Sequence, residues 1–132
     1  MRLRLAVAIV TGACLAPLAA SAHHSFAVYF EPAKSVTVTG KVTAFRFTNP
    51  HGMIALDVTG ADGRISAWRA ETNAPVVLVR RGWTKDVIKP GDTITIEGWA
   101  SRDGRPYMRL RRALDAGGRL IGTAPFGTTD AG

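Results

Sequence analysis

From Val36 onward, apolar and polar residues alternate in short runs that end at turn residues, the signature of an antiparallel barrel or sandwich. Val36, Val38, Gly40, Val42 and Ala44 fall on one face of a first strand, with Thr37, Thr39, Lys41 and Thr43 on the other. Asn49-Pro50-His51-Gly52 breaks that strand, because proline removes a ladder donor and glycine opens backbone conformations closed to other residues. In a second strand Ile54, Leu56 and Val58 alternate with Met53, Ala55 and Asp57, and Ala61-Asp62-Gly63 turns the chain into a third, about Arg64 to Glu71, which carries Trp68. The period then changes. Thr72 or Asn73 is placed to cap a helix, Pro75 suits its first turn, Val76 to Val79 supply apolar bulk, and Arg80-Arg81-Gly82 reads as its end. Lys89-Pro90-Gly91-Asp92 leads into a fourth strand with Ile94 and Ile96 inward. Asp103-Gly104 opens the hairpin to a fifth, with Met108 and Leu110 inward. The pattern predicts an all-β domain: a five-stranded OB-like antiparallel barrel with one short helix between strands three and four.

The first 22 residues have a different character. Arg2 and Arg4 precede an apolar run from Leu3 to Leu18, and Ala20-x-Ala22 fits a signal-peptidase site. The run is short for a membrane span, and no later segment is apolar for long enough to act as one. The expected organisation is a leader over 1–22, an N-terminal arm over 23–35, the barrel over 36–121 and a flexible Gly-, Thr- and Ala-rich tail over 122–132. Cleavage after Ala22 would deliver a periplasmic protein and remove the single cysteine, Cys14, so stability would rest on burial and not on disulfides. The formal charge is +7, and losing two arginines with the leader leaves about +5, a balance that favours anionic partners.

Several separated motifs carry a family likeness: His23-His24-Ser25-Phe26, Thr48-Asn49-Pro50-His51, Trp68 with Glu71, Arg80-Arg81-Gly82-Trp83-Thr84, Lys89-Pro90-Gly91-Asp92 and Asp103-Gly104. Together they resemble a family of small exported bacterial proteins classed as a domain of unknown function. The resemblance implies export and a single small β domain, and brings no established activity. Phe47 stands where the family often has tryptophan, one aromatic for another.

Cleavage would make His23 the first residue, with an α-amine beside its imidazole. His24 follows, His51 sits in the loop between strands one and two, and Met53 shares the face of His51 two residues on. Nitrogen donors of this kind suit Cu(II) and a thioether suits Cu(I), so His23, His24, His51 and Met53 form a candidate copper site. The alternative is that His23 and His24 merely follow the cleavage site and His51 satisfies its turn. Zinc fits less well, with no cysteine in the mature chain and no carboxylate at ligand spacing.

The barrel surface offers a second, metal-free reading. Tyr107, Arg109 and Arg111 share the expected outward face of strand five, with Arg112 nearby, and could dock an anionic envelope polymer or a partner protein; a solvated basic strand is the plainer alternative. Nucleic acid is disfavoured, because Met53, Ala55 and Asp57 give strand two no aromatic platform for bases. Trp68, Trp83 and Trp99 are expected to pack, with Trp99 partly exposed beside Glu97. Enzyme chemistry finds no support: no nucleophile has a matched base, and Glu71 and Glu97 have no partner that the sequence names.

Overall fold

The alternating runs form five strands in a computed structural model that describes residues 24–130: β1 (Phe30–Arg46), β2 (Met53–Thr59), β3 (Ile65–Glu71), β4 (Thr93–Ser101) and β5 (Tyr107–Leu114). They close into a barrel in the order β1-β2-β3-β5-β4, with β4 returning to β1. Every pair is antiparallel except β3 and β5, which run parallel over Arg69–Glu71 and Tyr107–Arg109. This is the five-stranded OB-like barrel that the alternation predicts. A short helix, α1 (His24–Tyr29), precedes it, and α2 (Pro75–Arg80) lies between β3 and β4.

Ile54, Leu56, Ala70, Ile96, Met108 and Leu110 fill the interior, all at or near zero exposure. Pro75 begins α2 as expected, but the N-cap is Ala74, with no side-chain cap. Thr72 and Asn73 are instead buried at the end of β3 and spend their polar atoms elsewhere: Thr72 Oγ1 donates to the Asn73 carbonyl and the Asn73 amide to the Asp130 carbonyl. Leu78 of α2 and Trp83 join the same core, with Gly82 in the left-handed conformation (φ 78°) that lets the chain turn between them. Trp68 packs against the core and Trp99 is half-buried beside Glu97.

Four expectations need correction. The first strand begins at Phe30, six residues before Val36, so most of the expected arm over 23–35 is helix and strand; Phe30 is buried and pairs with Ser101, and Phe26 meets Trp99 edge-on. Next, a register shift between Val42 and Ala44 makes Thr43 an extra residue. Beyond it Phe45 turns inward opposite Ile54, and Ala44 faces out opposite Ala55. A second shift pairs Glu97 with Arg112 and Gly98 with Leu110, leaving Arg111 as the extra residue, so that Arg111 and Arg112 are both exposed. Lastly, the segment after Gly122 is not a free tail. Phe126 is buried in the core, and a short 3₁₀ turn, Thr128–Asp130, ends the described chain. The expected leader over 1–22 and His23 lie outside the described residues, and no described helix is long and apolar enough to cross a membrane.

Candidate functional site

Strand pairing lays two rows of residues across the outer face of the barrel. One runs Arg46, Met53, Glu71, Arg109 and Trp99, from β1 through β2, β3 and β5 to β4. The next runs Ala44, Ala55, Arg69 and Tyr107. His51, in the loop before Met53, reaches the first row. That loop is held against the end of β3, where the Thr72 amide donates to the Gly52 carbonyl and the Gly52 amide to the Asn73 carbonyl. Position 52 must be glycine for this approach, since a Cβ there would stand 2.5 Å from Thr72 Oγ1 and 2.7 Å from the Arg46 carbonyl.

Glu71 is the hub of the two rows. Its Oε1 accepts from Arg109 Nη1 at 2.7 Å and lies 2.7 Å from His51 Nδ1, while its Oε2 accepts from the Tyr107 hydroxyl at 2.6 Å. Arg109 is only 3% exposed, and its Nη2 has no partner among the described residues. Burial pulls the Arg109 guanidinium below its usual pKa, and Glu71 opposes that by favouring the charged form. Burial, then the hydrogen bond to Glu71, pushes the Tyr107 phenol well above its ordinary range, so it remains a donor.

Two adjoining cavities open on this face. One, of about 310 Å³, is lined by Ala44, Arg46, Thr48, His51, Met53, Ala55 and Arg69. The other, of about 400 Å³, is lined by Met53, Ala67, Arg69, Arg105, Pro106 and Tyr107. Met53 and Arg69 belong to both. A larger hollow of about 620 Å³, between the start of β4 and the turn after β5, shares no residue with either.

The structure therefore regroups the residues singled out by sequence. His51 and Met53 do come together, in the first cavity. His23 is outside the described residues, and His24 begins α1 with its side chain outside them as well. Among the described residues no three His, Cys, Asp or Glu side chains converge on a metal position. Tyr107, Arg109 and Arg111 do not form one basic patch: Arg109 is buried on Glu71, and Arg111, displaced by the bulge, shares Glu97 with Arg112 at 2.9 and 2.6 Å. Sequence reasoning missed Glu71 as a hub, and missed Arg46 and Arg69. The one available signal was their place on outward positions of alternating strands.

Solved structures with a similar strand arrangement match at low identity. The crystal structure of a ZRD-deleted mutant of TiaS in complex with agmatine aligns over 69% of this chain with 14% identity and a TM-score of 0.46, and this chain spans only 22% of that one. Rim1, a mitochondrial single-stranded DNA-binding protein from S. cerevisiae, aligns over 69% of this chain and 96% of its own with 9% identity and a TM-score of 0.47. A small single-stranded DNA-binding protein from Streptomyces coelicolor covers 62% of this chain and 90% of its own, with 14% identity and a TM-score of 0.40. No curated protein matches the sequence. Residues 11–108, the span holding the Asn-Pro-His loop, Glu71 and the Arg-Arg-Gly-Trp-Thr segment, match the model of a family of unknown function, DUF6152, and the chain belongs to that family.

Proposed function

We propose that this is an exported periplasmic binding or accessory protein, not an enzyme, that takes an anionic ligand in the cavity flanked by Arg46 and Arg69. Export rests on the basic, apolar and Ala-x-Ala order of residues 1–22. One observation carries the ligand class. Among the described arginines only Arg46, Arg69 and Arg80 have no carboxylate partner, and two of those three line this cavity beside His51 and Thr48. Guanidinium groups left unpaired on a concave surface attract carboxylates or phosphates and can grip them through two parallel hydrogen bonds. A partner protein would engage the same groups through its own acidic side chains.

Titration with inorganic phosphate and with galacturonate, followed by amide chemical shifts, tests this. The expected result is saturable binding that Arg69→Ala and Arg46→Ala each weaken about tenfold, consistent with a hydrogen bond to a charged group. Added salt should weaken it further. Arg80→Ala, also unpaired but outside both cavities, should bind as the unaltered protein does. Binding indifferent to Arg69, or weakened equally by Arg80→Ala, rejects the cavity.

A copper reading has one specific observation in its favour. A carboxylate against Nδ1 orients the His51 ring and leaves Nε2 for a ligand, the arrangement common around metal-binding histidines, and Met53 lines the same cavity. The His23 amine and imidazole with His24 would complete the set, while Arg46 and Arg69 oppose any cation there. In this reading protein processed to begin at His23 binds Cu(II) one-to-one with nitrogen hyperfine structure in electron paramagnetic resonance. A Met-initiated form and His51→Ala then both bind more weakly. Equal or absent binding across the three removes copper.

A further inference from the structure

We infer that the anionic ligand is an acidic glycan, a chain of uronate-type sugars lying across both cavities. The inference rests on the anion reading above and extends it from a single charge to a polymer.

The two cavities are parts of one trough, because Met53 and Arg69 line both. Cationic groups stand along it on three separate elements: Arg46 at the end of β1, Arg69 on β3 and, in the loop between β4 and β5, Arg105, whose exposed pair with Asp103 at 3.0 Å a ligand carboxylate would have to share or displace. A lone small anion in the first cavity meets Arg46 and Arg69 and leaves Arg105, which lines only the second. A ligand that repeats its charge meets them in turn, each further contact becoming intramolecular once the first is made.

Between the arginines the floor is small and apolar: Ala44 and Ala55 on one side, Met53 in the middle, Ala67 and Pro106 on the other. Such a floor accepts the C–H face of a sugar ring, while guanidinium groups take its carboxylate and the Thr48 hydroxyl can reach ring hydroxyls. Nucleic acid needs a stacking platform, and the trough offers two small rings in separate cavities: Tyr107, already covered by the Arg105 guanidinium at 4.7 Å from its centroid, and the His51 imidazole, tied to Glu71. An extended peptide would look for a free strand edge, yet the central strand of this face, β2, is paired on both sides.

The test compares galacturonate, hexagalacturonate and a thymidylate hexamer by calorimetry, at one salt concentration, on the unaltered protein, Arg69→Ala and Arg105→Ala, with thermal melts confirming that each variant folds. The expected result is that the glycan hexamer binds more than about tenfold tighter than the monomer. Arg69→Ala should weaken both sugars, and Arg105→Ala should weaken the hexamer more than the monomer, reducing the gain from chain length. A hexamer no tighter than the monomer, with Arg69 still required, overturns the polymer and leaves a single-anion site. Thymidylate binding as tightly as hexagalacturonate overturns the glycan in favour of charge alone or nucleic acid. Failure of every ligand to bind overturns the anion reading and the glycan with it.

Discussion

Glu71→Ala lowers the folding stability of this barrel by about 3–5 kcal/mol, the cost of leaving a buried charge without its partner. The Glu71 side chain is itself 20% accessible; what matters is Arg109, held at 3% with Glu71 as its only carboxylate hydrogen-bond partner among the described residues. Removing the acid strands that guanidinium, whose Nη2 already has no partner among the described residues, and strands the Tyr107 hydroxyl with it. Urea unfolding of the full chain measures the loss. Glu71→Gln should fall in between, because an acceptor remains while the charge is gone. The double variant Glu71→Leu with Arg109→Leu should recover much of the stability, because it removes the unpaired charge together with its partner. A loss below about 1 kcal/mol for Glu71→Ala would place this contact with ordinary surface ion pairs and reject a buried hub.

The strands were legible because each carries its own periodicity. Ile54 with Leu56, Ile94 with Ile96 and Met108 with Leu110 all point into the core as alternation requires. His51 and Met53 do line one cavity, but not through alternation: His51 lies in the loop before β2, which the bonds between Gly52 and the end of β3 hold in place. What alternation cannot show is an inserted residue. The bulge at Thr43 exchanges the faces of Ala44 and Phe45, and the one at Arg111 brings two neighbouring arginines to one glutamate. Nor can it show which strands become neighbours on closure. Glu71 and Arg109 are 38 positions apart and meet only because β3 and β5 run side by side for three residues. Before that pairing is known, Arg46 and Arg69 look like any charged residues on the solvent side of a strand. The C-terminal segment misled for a compositional reason: glycine, threonine and alanine suggest a frayed end, and a single phenylalanine outweighs them.

That phenylalanine sets the second large effect. Phe126→Ala costs about 3–5 kcal/mol, the range for emptying a buried aromatic site in a packed core. The ring is 3% exposed, with its centroid 6.0 Å from that of Trp83 and the Arg81 guanidinium 5.9 Å above it, while its amide donates to the Arg111 carbonyl at 2.7 Å. Polar contacts around it are weaker anchors. Asp130→Ala removes the 3.2 Å pair with Arg81, which is under a third exposed on both sides, and the bond that Asp130 Oδ2 accepts from the Gly127 amide at 2.7 Å, and should cost about 1–2 kcal/mol. The apolar contact therefore holds the segment, and the consequence reaches the candidate site. Asn73, two residues after Glu71, donates its side-chain amide to the Asp130 carbonyl, so a detached C-terminal segment frees the end of β3. In Phe126→Ala the amides of Thr72 and Asn73 should exchange with solvent faster than in the unaltered protein, by more than that of Thr39 on the far side of β1. Trp83 fluorescence should shift to the red as its ring loses cover. A variant that loses less than about 1 kcal/mol and leaves both signals unchanged would return the segment to the frayed tail its composition suggests, and would leave Glu71 anchored by the barrel alone.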